Sequence, residues 1–166
     1  MAETQIHRWV EAARAGANPA MIARLASGWA LVGEQQVVPG YCLLVPDPVV
    51  TDLNVLTGRA RSQFLEDMVA LGDVLLRVTS AARINYEILG NSERALHAHL
   101  FPRCETEPEA TRRAPVWLHD WSKAARFERR THEPFIARVA SELASRGRLR
   151  AAVAYSPGSS KSEGKE

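Results

Sequence analysis

The chain has 166 residues, 46% of them hydrophobic and 24% charged, and a formal net charge of +2. That length suits one domain with its own core, and so small a charge provides no field for nucleic acid or an anionic membrane, so any anionic ligand must be recognised locally. No apolar run reaches the roughly 18 residues a membrane span needs, the start lacks the basic-then-apolar layout of a secretory signal, and Cys42 and Cys104 are too few for a disulfide scaffold; the expectation is a cytoplasmic protein with two reduced thiols.

In chain order, Ile6, Trp9, Val10 and Ala13 recur at helical spacing. A second short helix is read from Asn18 as N-cap and Pro19 in its first turn, through Met21, Ile22 and Leu25, to Gly28 as terminator. Two apolar runs, Trp29 to Val32 and Tyr41 to Val45, flank a polar connection ending in Pro39-Gly40 and read as a hairpin. Pro46 and Pro48 halt its second strand, since neither can donate to a ladder. After Thr57-Gly58, with Thr57 as N-cap, the residues Phe64, Met68, Leu71, Leu75 and Val78 make one stripe and predict the longest helix. Strands return with RINYEIL, a break at Gly90-Asn91-Ser92, and ALHAHLFP. From Arg103 to Arg130 only the apolar patch PVWLHDW can be placed. A last helix is predicted over Pro134 to Ala144, with Phe135, Val139 and Leu143 on one face, and the tail SPGSSKSEGKE reads as disordered. Strands and helices do not alternate regularly, which predicts an α+β fold: an antiparallel sheet with helices on one side. The division is then 1–28 as N-terminal helices, 29–146 as the main domain and 147–166 as the tail.

His97 and His99 carry the chemical interest. In an extended segment they share one face while Leu96, Ala98 and Leu100 take the other. Three readings compete. The two are incidental strand residues; or they begin a zinc site, whose nearest further ligands are Cys104 and Glu105; or one imidazole attacks phosphorus and the other donates to a phosphate oxygen. The turn Gly90-Asn91-Ser92 favours the third, because small residues let backbone N–H groups approach phosphate, and Asn85 adds an amide if the two strands pair. His7, His119 and His132 read as surface or capping residues. For Trp29 core packing competes with a role in a base-binding wall beside Leu31; for Trp117 and Trp121 packing competes with covering a nucleotide or partner. Arg103, Arg112 and Arg113 read as loop arginines that are solvated or attract phosphate tails.

Together these stretches resemble the histidine-triad (HIT) nucleotide hydrolases and transferases. Ala95-Leu96-His97-Ala98-His99-Leu100-Phe101 matches their alternation of histidine and hydrophobic residues except at Ala95, where the first histidine would stand. WALVGEQQVVPGYCLLVPDPV is similar to the family's first hairpin, and RINYEILGNSERALHAHLFPR with the later APVWLHDW is similar to the diadenosine tetraphosphate hydrolase-like branch. The resemblance covers about Trp29 to Trp121. It implies a HIT-like sheet, a homodimer, and a nucleotide hydrolase or nucleotidyl transferase acting at the α-phosphate of a dinucleoside polyphosphate or related nucleotide. His97 would be the nucleophile that forms a nucleotidyl-histidine, His99 would bind phosphate oxygens, and Asn85, Asn91 and Ser92 would surround the phosphates. No tightly bound cofactor or protein-held metal is expected, with Mg²⁺ on the substrate phosphates left open; nucleic acid and membrane are not expected partners. Gly33 stands where relatives often hold a ribose hydroxyl with Asn or Asp, and Glu34 is the substitute at hand. The alternative is a non-catalytic nucleotide-binding module on the same fold.

Overall fold

The computed structural model describes residues 3–150 and 155–156; most of the segment read as a disordered tail lies outside the described residues. The elements are α1 (Gln5–Arg14), β1 (Met21–Arg24), β2 (Gly28–Val32), β3 (Gln35–Gln36), β4 (Cys42–Pro46), α2 (Gly58–Thr79), β5 (Arg83–Glu87), β6 (Ala98–Arg103), the short α3 (Glu109–Arg112), 3-10 turns at Val116–Leu118 and Trp121–Lys123, β7 (Ala125–Arg126) and α4 (Arg129–Ser145). No helix among the described residues is long and apolar enough to cross a membrane.

The main sheet has the order β1-β2-β4-β6-β5, with every pairing antiparallel. The expected hairpin is β2 with β4, in register Leu31↔Leu43. Its polar connection contains β3, which pairs with β7 in a separate two-stranded sheet. The histidine strand β6 lies between β4 and β5, with Asn85 opposite Phe101 and Glu87 opposite His99. Such a central strand must suit two covered faces, and β6 does so by alternation. Ala98 and Leu100 join the core under α2 and α4, which also holds Phe64, Leu71, Leu75, Val139 and Leu143. Phe101 joins a second core with Ile6, Val10 and Ala13 of α1 and with Leu31, Leu43 and Val116. Helices therefore cover both faces of the sheet, not one as expected.

The helix read over Asn18 to Gly28 is a strand. Met21, Ile22 and Leu25 satisfy helical spacing, but Met21 enters one core while Ile22 and Ala23 enter the other, the register shift between Met21 and Ala23 putting both of the latter on one side of the strand. Asn18 does not cap a helix: its side-chain carbonyl accepts from the Ala20 N–H at 2.9 Å and its amide donates to the Trp9 carbonyl at 3.2 Å, turning the chain out of α1 into β1. Gly28 opens β2 because a Cβ there would lie 1.9 Å from the Val45 carbonyl oxygen. At the other end, α4 begins at Arg129, so Pro134 sits inside the helix instead of starting it.

Candidate functional site

The sequence Ala95 to His99 shapes the site through one local contact. His97 Nδ1 lies 2.7 Å from the Ala95 carbonyl oxygen. A carbonyl only accepts, so Nδ1 carries the proton and the lone pair of neutral His97 is on Nε2. His97 and His99, 8% and 7% exposed, line one cavity of about 230 Å³, their rings 4.7 Å apart at 74°.

His99 is held from Tyr41, the residue just before β4. Its Nδ1 lies 2.6 Å from the Tyr41 hydroxyl. Burial, helped by the charge of His97, pushes the His99 imidazole down to about 3, so it is neutral near pH 7. Burial likewise pushes the Tyr41 phenol up, which keeps its proton. With that proton donated to Nδ1, neutral His99 carries its own on Nε2. The pair thus offers a lone pair on His97 and an N–H on His99, the complement a phosphoryl group needs.

Tyr41 also accounts for Gly33. A Cβ at Gly33 would meet the Tyr41 ring at 2.2 Å, so an Asn or Asp side chain cannot occupy that place while Tyr41 supports His99. Glu34 lines the histidine cavity instead. Glu93 is there too, at the end of the loop before the histidines. Burial opposes its charge, but the Ala95 N–H, the Thr4 hydroxyl, the Gln5 N–H and nearby His97 together hold its carboxyl below the ordinary range. Glu93 thereby ties the start of α1 to the histidine segment, and Gln5, Ile6 and Trp9 of α1 form one wall.

The opposite wall is aromatic. His99, Phe101 and Tyr41 lie nearly parallel, at 5° to 25° to one another. Trp117 and Trp121 stack on each other and stand on edge over this layer. Arg103 anchors the segment that carries them. Its guanidinium, 5% exposed, donates to Glu107, to the Asn85 side-chain carbonyl and to the backbone carbonyls of Thr111, Arg112 and Ala114.

The structure brings His97 and His99 together but distributes the other expected residues. Asn85 is bound to Arg103 and lines a separate cavity with Cys104 and Glu105, so the two residues considered as further zinc ligands face away from the histidines. Asn91 and Ser92 are exposed in the β5–β6 loop and do not line the histidine cavity. Arg103 is a buried anchor, not a solvated loop arginine. Trp29 is core, its indole N–H bonded to Asp47. His7, His119 and His132 bond nearby Thr4, Thr111 and Glu128, as capping or surface residues do. Sequence reasoning missed Tyr41, Glu93 and Trp9; Tyr41, just before β4, alternates with Leu43, but only the pairing of Leu43 with His99 puts it on the histidines' side.

No family model matches the chain, and no curated protein sequence matches it. Solved structures do. A histidine triad protein from Sinorhizobium meliloti is 27% identical with a TM-score of 0.64, over 74% of this chain and 88% of that one. A histidine triad protein from Marinobacter aquaeolei reaches 0.67 at 18% identity, over 86% and 97%. A hypothetical histidine triad nucleotide-binding protein from Sulfolobus tokodaii reaches 0.60 at 12%, over 76% and 84%.

Proposed function

We propose that this chain, which carries the histidine-triad fold, is a nucleotide hydrolase or nucleotidyl transferase that works through a covalent intermediate on His97. The observation that supports it most is the bond from His97 Nδ1 to the Ala95 carbonyl, because it leaves Nε2 as the nucleophile without a separate base. Nε2 attacks the α-phosphate of a dinucleoside polyphosphate or related nucleotide; a P–N bond forms and the leaving group departs with the electrons of its bond to phosphorus. Water then attacks the same phosphorus, the P–N electron pair returns to Nε2, the water proton passes to solvent, and a nucleoside monophosphate is released. His99 donates from Nε2 to the phosphoryl oxygens as negative charge builds on them. An apolar cavity of about 140 Å³, lined by Leu31 and Phe127 and sharing Trp9 and Glu34 with the histidine cavity, suits the base of the attacked nucleotide.

Protein denatured at alkaline pH, where a P–N bond to imidazole survives, after incubation with α-labelled dinucleoside polyphosphate is expected to retain label on His97, and none in His97→Ala, which should still bind nucleotide. His99→Ala should weaken binding and lower the rate by roughly 10²-fold, as loss of a positioned donor does. Unlabelled wild type that nevertheless binds nucleotide would leave the second reading, a non-catalytic binding module; the buried Ala95 in place of a polar residue is the observation that favours it. The same resemblance to histidine-triad proteins has two copies pairing about a two-fold axis; light scattering at micromolar concentration should give a dimer mass, and a monomer counts against that part.

A further inference from the structure

Trp117 stands at 85° to the His99 ring and 86° to the Phe101 ring, with centroids 5.0 and 5.7 Å away. Trp121 covers one of its faces at 4.9 Å and 10°. No ring among the described residues covers the other, and Trp117 is 39% exposed although it lines the histidine cavity. Its indole N–H is bonded to the Glu87 carboxylate, which fixes the ring and occupies its only donor. What the side chain still offers is a flat π face in the cavity that His97 also lines. The apolar cavity beyond Trp9 lies toward the first hairpin, so that face is not needed for the attacked nucleotide's own base.

A second observation bears on the same place. Glu87 also lines a cavity of about 570 Å³ whose walls include Arg83, Arg112 and Arg113. Arg112 and Arg113 are paired with Glu105 and Glu109, whereas Arg83 makes no ion pair among the described residues and is the guanidinium left for an anion. The Trp117–Glu87 bond therefore stands between the histidine cavity and a cavity with arginines in its wall, where a guanidinium can bind phosphate bidentately.

We propose that Trp117 is a specificity-determining residue for the leaving group: its open face stacks a planar aromatic ring on the group that departs from the α-phosphate, and the arginine-lined cavity beside it takes that group's negative charge. This rests on the reading of His97 as nucleophile. It favours leaving groups that carry both an aromatic ring and phosphate, such as a second nucleotide, over bare polyphosphate.

The test compares diadenosine tetraphosphate with adenosine 5′-tetraphosphate, which share the attacked phosphate and the chain of four and differ only in the second adenosine. Wild type is expected to prefer the dinucleotide by about tenfold or more in kcat/KM, equivalent to about 1.4 kcal/mol and within what stacking of a base on an aromatic ring supplies. Trp117→Leu should lose most of that preference, while Trp117→Tyr, which keeps a π face, should retain most of it. An unchanged preference in Trp117→Leu, or none in wild type, overturns the proposal. Dissociation constants of the same two ligands, measured in His97→Ala and in His97→Ala with Trp117→Leu, read stacking without turnover. A wild type that turns over neither ligand while the binding preference depends on Trp117 defeats the enzymatic reading alone; turnover with no dependence on Trp117 defeats the stacking alone.

Discussion

Ala95 is 0% exposed and belongs to the cluster that contains Ile6, Val10, Leu43 and Phe101. Position 95 does lie on the side of the sheet where the histidines lie, as alternation predicts, but the space beyond its methyl group is filled. Restoring a polar residue there is therefore not a simple repair. Ala95→Gln is expected to cost roughly 1–3 kcal/mol through overpacking and burial of an amide without a partner, read as a lowered urea midpoint. It should also reduce the proposed turnover of nucleotide, because the Ala95 carbonyl that orients His97 would shift. An unchanged midpoint with faster turnover would contradict this account. Glu93 is the polar group that the structure does bring to this end of the cavity.

The segment from Cys104 to Lys123 contains little regular structure, yet it forms one wall of the site because Arg103 gathers it. The guanidinium donates to the Glu107 carboxylate and to the backbone carbonyls of Thr111, Arg112 and Ala114. Arg103→Met keeps the apolar stem but leaves Glu107 without its counter-charge. Breaking a buried pair in this way costs about 3–5 kcal/mol. Thermal unfolding should fall accordingly, and tryptophan emission should shift to the red as Trp117 and Trp121 become wetter. A variant with native emission would show that the wall holds without the anchor. On the other side of the sheet Asp67 has a comparable role: it accepts from the N–H and hydroxyl of Ser27 at 2.7 Å each, fastening α2 to the turn between β1 and β2.

For the whole molecule, the buried site makes stability depend on pH. His99 in the folded chain titrates at about 3, below an ordinary imidazole near 6.5, because burial disfavours its charged form. Between those values the unfolded chain binds a proton that the folded chain does not, so unfolding free energy rises with pH across the window. The contribution is complete above about 6.5 and is lost as pH falls toward 3, with a limiting slope of about 1.4 kcal/mol per pH unit. Urea midpoints measured from pH 7 down to 4.5, above the range where most carboxylates titrate, should fall in wild type and fall less steeply in His99→Phe. Parallel curves for the two proteins would mean that His99 is charged in the folded state.

Much of this protein could be read along the chain. The stripe of α2, the β2–β4 hairpin and the alternation of β6 follow from local periodicity, because each element buries one or two faces whose spacing is set by its own geometry. The facing of His97 and His99 was legible for the same reason. The helix expected over Asn18 to Gly28 failed because Met21, Ile22 and Leu25 fit either period, and only pairing with β2 decided between them. Tertiary structure alone decided that Tyr41 would hold His99, that Gly33 had to make way for its ring, and that Asn85 would serve Arg103 instead of the histidine cavity. The bonds of Tyr41 to His99 and of Arg103 to Asn85 join residues 58 and 18 positions apart, a separation at which composition and spacing carry no information about which side chains meet; the partners are chosen by strand register and by the closing of the cores on both faces of the sheet.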